Sequence, residues 1–159
     1  PQRIPAYAEL TVGENLDWAA RLRGLRGAAL DEAVEAVLHQ VQLGEYRRRL
    51  AGRLSAGMAQ RLGLAQALVH KPAILILDEP TAGLDPLQTE QIRELLAGLD
   101  AGTSIILATH LLDDVQRLCN RVILLEAGHK TAEHEVTTAT NLHAYFQRRA
   151  TAQTAEPAA

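Results

Sequence analysis

The sequence has few of the residues that would cross-link it, stack on nucleic-acid bases or hold it in a membrane. Its 159 residues include one cysteine, Cys119, so no disulfide can form within the chain, which indicates a reducing compartment. A net charge of -3 and an aromatic content of 3% argue against a nucleic-acid-binding surface, which usually shows a basic excess or stacking aromatics. No apolar run approaches the ~18 residues of a membrane span, and the first residues carry no signal-peptide pattern. We therefore expect a soluble, cytoplasmic chain that binds no nucleic acid.

The first part of the chain has the periodicity of helices. Thr11 and Glu14 have the spacing of a capping box, which predicts a helix that starts there and runs to about Leu22. A second helix is predicted from about Asp31, with Gly44 as its stop. The reason is that apolar residues recur there at helical spacing: Val34, Val37, Leu38 and Val41.

The second part of the chain alternates strands with helices. Three apolar segments are predicted as strands, the first two of them buried: 73–77, 104–108 and 121–126. A helix with one apolar stripe separates the first two, and a further helix carries Cys119 on its apolar side. Because strands separated by helices of this length pair through crossovers, we expect an α/β fold with a parallel sheet.

Two adjacent carboxylates, Asp78 and Glu79, follow directly on the first of these strands, and a turn leads from them to Asp85. A strand that ends in this way can present oxygen ligands to a metal and a phosphate. Considered alone, such an end is more often a simple polar loop, since strands usually end in turn residues. The acidic pair gains a meaning only from two further motifs, one upstream and one downstream.

The upstream motif is Leu54-Ser-Ala-Gly-Met-Ala-Gln-Arg61, and the downstream motif is Ala108-Thr-His110, after the second strand. In this order the three elements resemble the signature motif, the Walker B motif with its D-loop, and the switch histidine of the ATP-binding cassette (ABC) ATPases. The resemblance covers about Gln2 to Glu133. It implies a partial P-loop NTPase (RecA-like) core with a parallel sheet, plus the helical signature subdomain of ABC proteins.

The resemblance also implies roles for individual residues. Asp78 would help to hold Mg²⁺, and Glu79 would orient and polarise the water that attacks the γ-phosphate of ATP. His110 would lie against that phosphate and water, although a lone histidine at a strand end is usually just a polar residue. Gln2 matches the Q-loop, whose glutamine would contact Mg²⁺ and the attacking water.

The signature motif and the D-loop imply contacts to a second subunit. Ser55 and Gly57 open a helix whose start would grip the γ-phosphate bound to the opposite subunit, and Asp85 would touch that subunit. The motif departs from the family's L-S-G-G-Q, because Ala56 and Met58 replace a glycine and the glutamine. A methionine at this place is common in transporters that resemble ABC-2-type exporters, whereas Ala56 could crowd a closely bound phosphate.

A Walker A motif, G-x-x-x-x-G-K-[ST], is absent from the 159 residues. Lys71 and Lys130 both follow a histidine, so neither belongs to such a motif. We expect that the portion which carries it in the family precedes this sequence. Three parts are predicted: the Q-loop and helical signature subdomain (1–70), the Walker B, D-loop and H-loop half of the core (71–135), and a C-terminal extension with a disordered tail (136–159).

The function implied by the resemblance is ATP hydrolysis that energises transport across a membrane. The expected partners are a second nucleotide-binding domain, identical or different, and a transmembrane permease subunit. The expected location is the cytoplasm, peripheral on the inner face of the cell membrane, and the 159 residues alone are expected to be inactive. Two alternatives stay open: a soluble ABC ATPase of translation or DNA repair, and a non-catalytic remnant that serves as an interaction module.

Overall fold

The computed structural model describes residues 5–100 and 102–137, and they form two compact units. One unit runs through Ala108 and the other begins at Thr109. Gln2 and residues 138–159 of the predicted C-terminal extension lie outside the described residues. None of the helices in the described ranges combines the length and the hydropathy that a membrane crossing requires.

Three helices open the first unit: α1 (Val12–Leu22), α2 (Gly27–Gln40) and α3 (Ala56–Leu68). The predicted capping box is confirmed, because the Thr11 side chain accepts from the Glu14 amide while the Glu14 carboxylate accepts from the Thr11 amide. The Thr11 amide and hydroxyl both donate to the Glu14 carboxylate, which lowers the pKa of Glu14. The three helices share an apolar core whose members are buried: Leu16, Ala20, Val34, Leu38, Leu62 and Ala65.

The second helix differs from its predicted bounds. It begins at Gly27, four residues before Asp31, and its first residue is preceded by Arg26, whose side chain makes no capping bond. It ends at Gln40, before Gly44, because Gln42 takes a left-handed conformation with φ 57°. The amide of Leu43 then reaches the Leu38 carbonyl at 2.9 Å, which is the closing bond of a Schellman turn. Two short 3₁₀ helices follow, Gly44–Tyr46 and Ala51–Arg53.

A parallel pair of strands completes the first unit. β1 (Ile74–Asp78) pairs with β2 (Ser104–Ala108), and α4 (Pro86–Ala97) connects them. The parallel pairing confirms the prediction, but the predicted burial is wrong for one face of β1 and most of β2. Leu75 and Leu77 are buried, whereas Ile76, on the opposite face, is 69% exposed. Successive side chains of a strand point to opposite faces, so the described helices cover only one of them.

The second unit contains α5 (Leu112–Leu118), β3 (Arg121–Glu126) and β4 (His129–Glu135). The parallel pairing predicted for β3 is wrong, since β3 and β4 form an antiparallel hairpin. Its turn uses Ala127 and Gly128, which both have positive φ, 48° and 81°. Two successive left-handed residues are the mark of a tight hairpin turn.

Candidate functional site

The acidic pair lies where the two parallel strands end. Asp78 is the last residue of β1 and stands opposite Ala108, the last residue of β2. The Glu79 amide continues the ladder by donating to the Ala108 carbonyl at 2.9 Å. The Asp78 side chain is exposed and that of Glu79 is half-buried. Both carboxylates therefore lie at the carboxyl edge of the sheet, as predicted.

Glu79 has an unusual backbone conformation. Its φ is 49°, in the left-handed region that residues with a side chain rarely adopt. The chain turns sharply there, because the Ala82 amide donates to the Glu79 carbonyl at 3.2 Å. Thr81 inside this turn is only 2% exposed, and Gly83 supplies a second positive φ, 75°. The turn carries the chain away from the sheet and into α4.

Asp85 begins α4 rather than lying in an open loop. Its carboxylate accepts from the Gln88 amide at 2.9 Å, and Pro86 occupies the first helical position. Both features are preferred at helix starts, because a carboxylate caps an unpaired amide and proline has no amide to leave unpaired. The Asp85 side chain is nonetheless exposed, so it can meet a partner at the protein surface.

The start of α3 is an exposed helix N-terminus, whose first amides could bind an anion. Ser55 is its N-cap, and its hydroxyl accepts from the Met58 amide at 3.3 Å. The amides of Ala56 and Gly57 have no intrahelical partner, as is general for a first turn. The side chains of Ser55 and Ala56 are exposed, whereas Gly57 is buried. A phosphate could therefore approach these amides from the solvent side.

One cavity brings part of the predicted site together with residues that were not predicted. It has a volume of about 390 Å³ and opens between α1, α3 and β1. Asp78 lines it together with Gln60 of the signature helix. Trp18 and Tyr7, whose rings meet edge to face at 6.3 Å, form part of its apolar wall.

Asn15 is a residue that the sequence reasoning missed. It is fully buried in α1, and its amide group holds the segment before the helix through three carbonyls and one amide. It accepts from the Tyr7 amide at 2.8 Å and donates to the carbonyls of Tyr7, Leu10 and Thr11. The available signal was a polar residue beside Leu16, on the face of α1 that the core requires to be apolar. Asn15 thus fixes the segment that leads from the predicted Q-loop into the helical subdomain.

His110 belongs to the second unit, where it precedes Leu111, the N-cap of α5. Its side chain is exposed. The neighbouring Thr109 hydroxyl accepts from the Leu111 amide at 3.0 Å, so the segment before the helix is ordered by its own hydrogen bond. The predicted role of His110 stays a prediction, as does that of Gln2.

Within residues 5–100 and 102–137, no cluster of three or more His, Cys, Asp or Glu side chains could hold a metal ion. Asp78, exposed at the end of β1, would offer carboxylate oxygens. At phosphate sites Mg²⁺ takes one or two carboxylates and completes its shell with phosphate oxygens and water.

A family model described as "ABC transporter" matches residues 1–82 of the chain. The chain belongs to this family. The α/β fold with its parallel sheet agrees with this membership. One solved structure that matches is cbiO1 of Clostridium perfringens, part of the ABC transporter complex cbiONQ. It superposes with a TM-score of 0.76 at 26% identity, and the match covers 94% of this chain and 58% of that one. A solved ATP binding subunit of an ABC transporter superposes with a TM-score of 0.78 at 27% identity, and the match covers 93% of this chain and 65% of the other.

Curated members of the ABC family match over most of this chain. The uncharacterized ABC transporter ATP-binding protein YxlF of Bacillus subtilis is 38% identical, over 80% of this chain and 43% of its own length. The Nod factor export ATP-binding protein I of Rhizobium meliloti is 42% identical, over 84% and 40%. The methionine import ATP-binding protein MetN of Caulobacter vibrioides is 39% identical, over 79% and 39%. The chain therefore spans less than half the length of these relatives.

Proposed function

We propose that this chain is the part of an ABC nucleotide-binding domain that carries the signature helix, the acidic pair and the switch histidine. The whole protein would hydrolyse ATP and energise transport through a permease subunit in the membrane, with the nucleotide-binding domain on the cytoplasmic side. The observation that carries the proposal is the acidic pair at the carboxyl edge of a parallel sheet, in a chain that belongs to this family.

Glu79 is the proposed general base. Its carboxylate would orient and polarise the attacking water, because phosphoryl transfer asks the protein mainly for positioning and charge stabilisation. Asp78, exposed at the end of β1, would supply an oxygen ligand to Mg²⁺, which would neutralise charge on the phosphates. The exposed turn at Ser55 would contribute amides to the γ-phosphate of a nucleotide held by a second copy or a related domain.

The names of the relatives support transport over the translation and repair alternatives. Relatives named for export and for import match at 42% and 39% identity. The proposal therefore concerns the energising of transport and names no direction. An interface with a permease would place the protein on the inner face of the membrane.

The test is the substitution Glu79→Gln in the protein expressed from its whole gene, including any sequence that precedes Pro1. We expect ATP hydrolysis to fall at least about a hundredfold, as for other positioned bases, while ATP binding is retained. Binding would be measured by calorimetry and turnover by phosphate release. The matched control is Glu94→Gln, an exposed carboxylate of α4, which should leave turnover unchanged. Turnover that survives Glu79→Gln would show that this carboxylate is not the base.

A further inference from the structure

Gly57 lies where the signature helix meets α4. It is buried, and a Cβ atom built on it would come within 2.8 Å of Cδ and 2.9 Å of Cγ of Gln88. Because a real Cβ essentially never comes this close to another atom, a side chain at position 57 would have to displace the Gln88 side chain. The hydrogen on this side of Gly57 therefore faces α4 and allows the Gln88 side chain to pack directly against the first turn of α3.

Gln88 is itself held at the start of α4. Its backbone amide donates to the Asp85 carboxylate at 2.9 Å. The residue that packs on the signature turn is thus bonded to the residue that caps α4. Any shift of α3 against α4 would move Ser55 relative to Asp85, the two residues that the proposed function directs towards a second subunit.

A second contact lies one turn further along both helices. Arg61, four residues after Gly57, donates through Nη2 to Oε1 of Gln91, three residues after Gln88. Its Nη1 donates to Oε1 of Gln42, at 3.4 Å, just past the end of α2. Residues three or four apart lie on the same face of a helix, so both contacts join the same faces of α3 and α4.

We propose that Gly57 with Gln88, and Arg61 with Gln91, form a two-contact clamp that positions the signature turn against the start of α4. The proposal rests on the proposed function and deepens it, since it states what sets the geometry of the two surfaces that would meet another nucleotide-binding domain. Gln88, Arg61 and Gln91 act as positioning residues, because none of them needs to touch the nucleotide. Gly57 is then required for helix packing, which is a different reason from leaving room for a phosphate.

The first test asks whether the cost of a side chain at position 57 depends on Gln88. In the protein from its whole gene, Gly57→Ala should lower kcat for ATP hydrolysis about tenfold. In the Gln88→Ala variant, the same substitution should lower kcat by only about twofold or less, relative to Gln88→Ala alone. Gly44→Ala is the matched control, since nothing lies within 4 Å of its Cβ position, and it should have no effect. If Gly57→Ala costs the same in both backgrounds, crowding of the phosphate explains the glycine and the clamp is wrong.

The second test is a double-mutant cycle across the other contact. Arg61→Met and Gln91→Leu should each lower kcat several-fold, and the double variant should be no worse than the poorer single one, because residues in contact are not additive. Gln91→Glu keeps an acceptor for Arg61 and should retain activity. Arg48→Met, an exposed arginine outside the contact, is the control.

The readout separates positioning from stability. All rates are taken per folded protein, at a temperature well below the midpoint of thermal unfolding. For the clamp variants, we expect kcat to fall by a larger factor than KM changes. A purely structural contact would lower the unfolding midpoint and leave kcat unchanged, and that result would overturn the proposal, as would additive effects in the cycle. An unmodified protein without ATPase activity would contradict the proposed function itself, and the clamp with it.

Discussion

Among single residues, Glu79 combines the proposed base with a backbone conformation that disfavours side chains, φ 49°. In the left-handed region a residue with a Cβ costs roughly 1–2 kcal/mol, whereas glycine adopts it freely. We therefore expect the free energy of unfolding, measured in urea, to be about 1 kcal/mol higher for Glu79→Gly than for Glu79→Ala. Both variants lose the carboxylate, so the comparison isolates the backbone.

The control for the Glu79 pair is the same comparison at Glu94, in the exposed interior of α4. There the sign should reverse, with glycine about 1 kcal/mol less stable than alanine. An alanine variant at position 79 that matches or exceeds the glycine variant would show that the backbone there is unstrained.

His70 makes stability depend on pH. Burial, and then the nearby charge of Arg23, lower the pKa of this histidine below its ordinary value. The unfolded chain therefore binds its proton at a higher pH than the folded one, so the stability due to neutral His70 is present above about pH 6.5 and lost as the pH falls. We expect the urea midpoint to drop between pH 7.5 and 5.5, and to drop less in His70→Asn. A drop of equal size in His70→Asn would assign the pH dependence to other groups.

The sequence identifies the residues of the site better than it identifies their neighbours. Asp78, Glu79 and Asp85 stand out through the order and spacing of the three motifs, and the structure places them at a strand end and a helix start. The packing of Gly57 on Gln88 could not be predicted, because it joins residues 31 positions apart through a contact between helices. Asn15 escaped for a related reason, since the carbonyls that satisfy it belong to an irregular segment.

At the scale of elements, the start of α1 forms the capping box that its local signal predicts. Thr11 and Glu14 exchange hydrogen bonds as their spacing predicts. Thr11→Ala should lower the free energy of unfolding by about 1 kcal/mol, as other cap replacements do. Because the pKa of Glu14 is lowered, the carboxylate's share of this stability is present above about pH 4.3 and lost in acid. The difference between Thr11→Ala and the unmodified chain should therefore shrink at pH 3.

Urea unfolding at pH 7 and pH 3 measures this effect of Thr11. The control is Thr89→Ala, which lies inside α4 and caps no helix. Alanine is the better helix former, so this change should cost nothing. A loss at position 89 equal to that at position 11 would mean that the capping bonds contribute no net stability.

Elements without a local signal were predicted poorly. β4 reads His129-Lys-Thr-Ala-Glu-His-Glu135, which lacks the apolar alternation of a strand, so its pairing with β3 was missed. The start of α2 was placed too late because Gly27 and the alanines after it carry neither a cap nor an apolar stripe. In both cases the stabilising interactions come from another segment, the partner strand or the packed helices.

At the scale of the whole molecule, the last prediction concerns ATP binding by the 159 residues alone. The sequence contains no loop whose glycine amides and lysine would hold the phosphates. What it offers instead is the turn at Ser55, and a helix start contributes only about 0.3–1 kcal/mol to an anion at an exposed site. A Kd of 1 mM requires about 4.1 kcal/mol, so titration calorimetry should show no binding tighter than about 1 mM. The protein from its whole gene serves as the comparison, and saturable micromolar binding by the 159 residues would mean that they hold a nucleotide without the Walker A motif on which the proposed composite site depends.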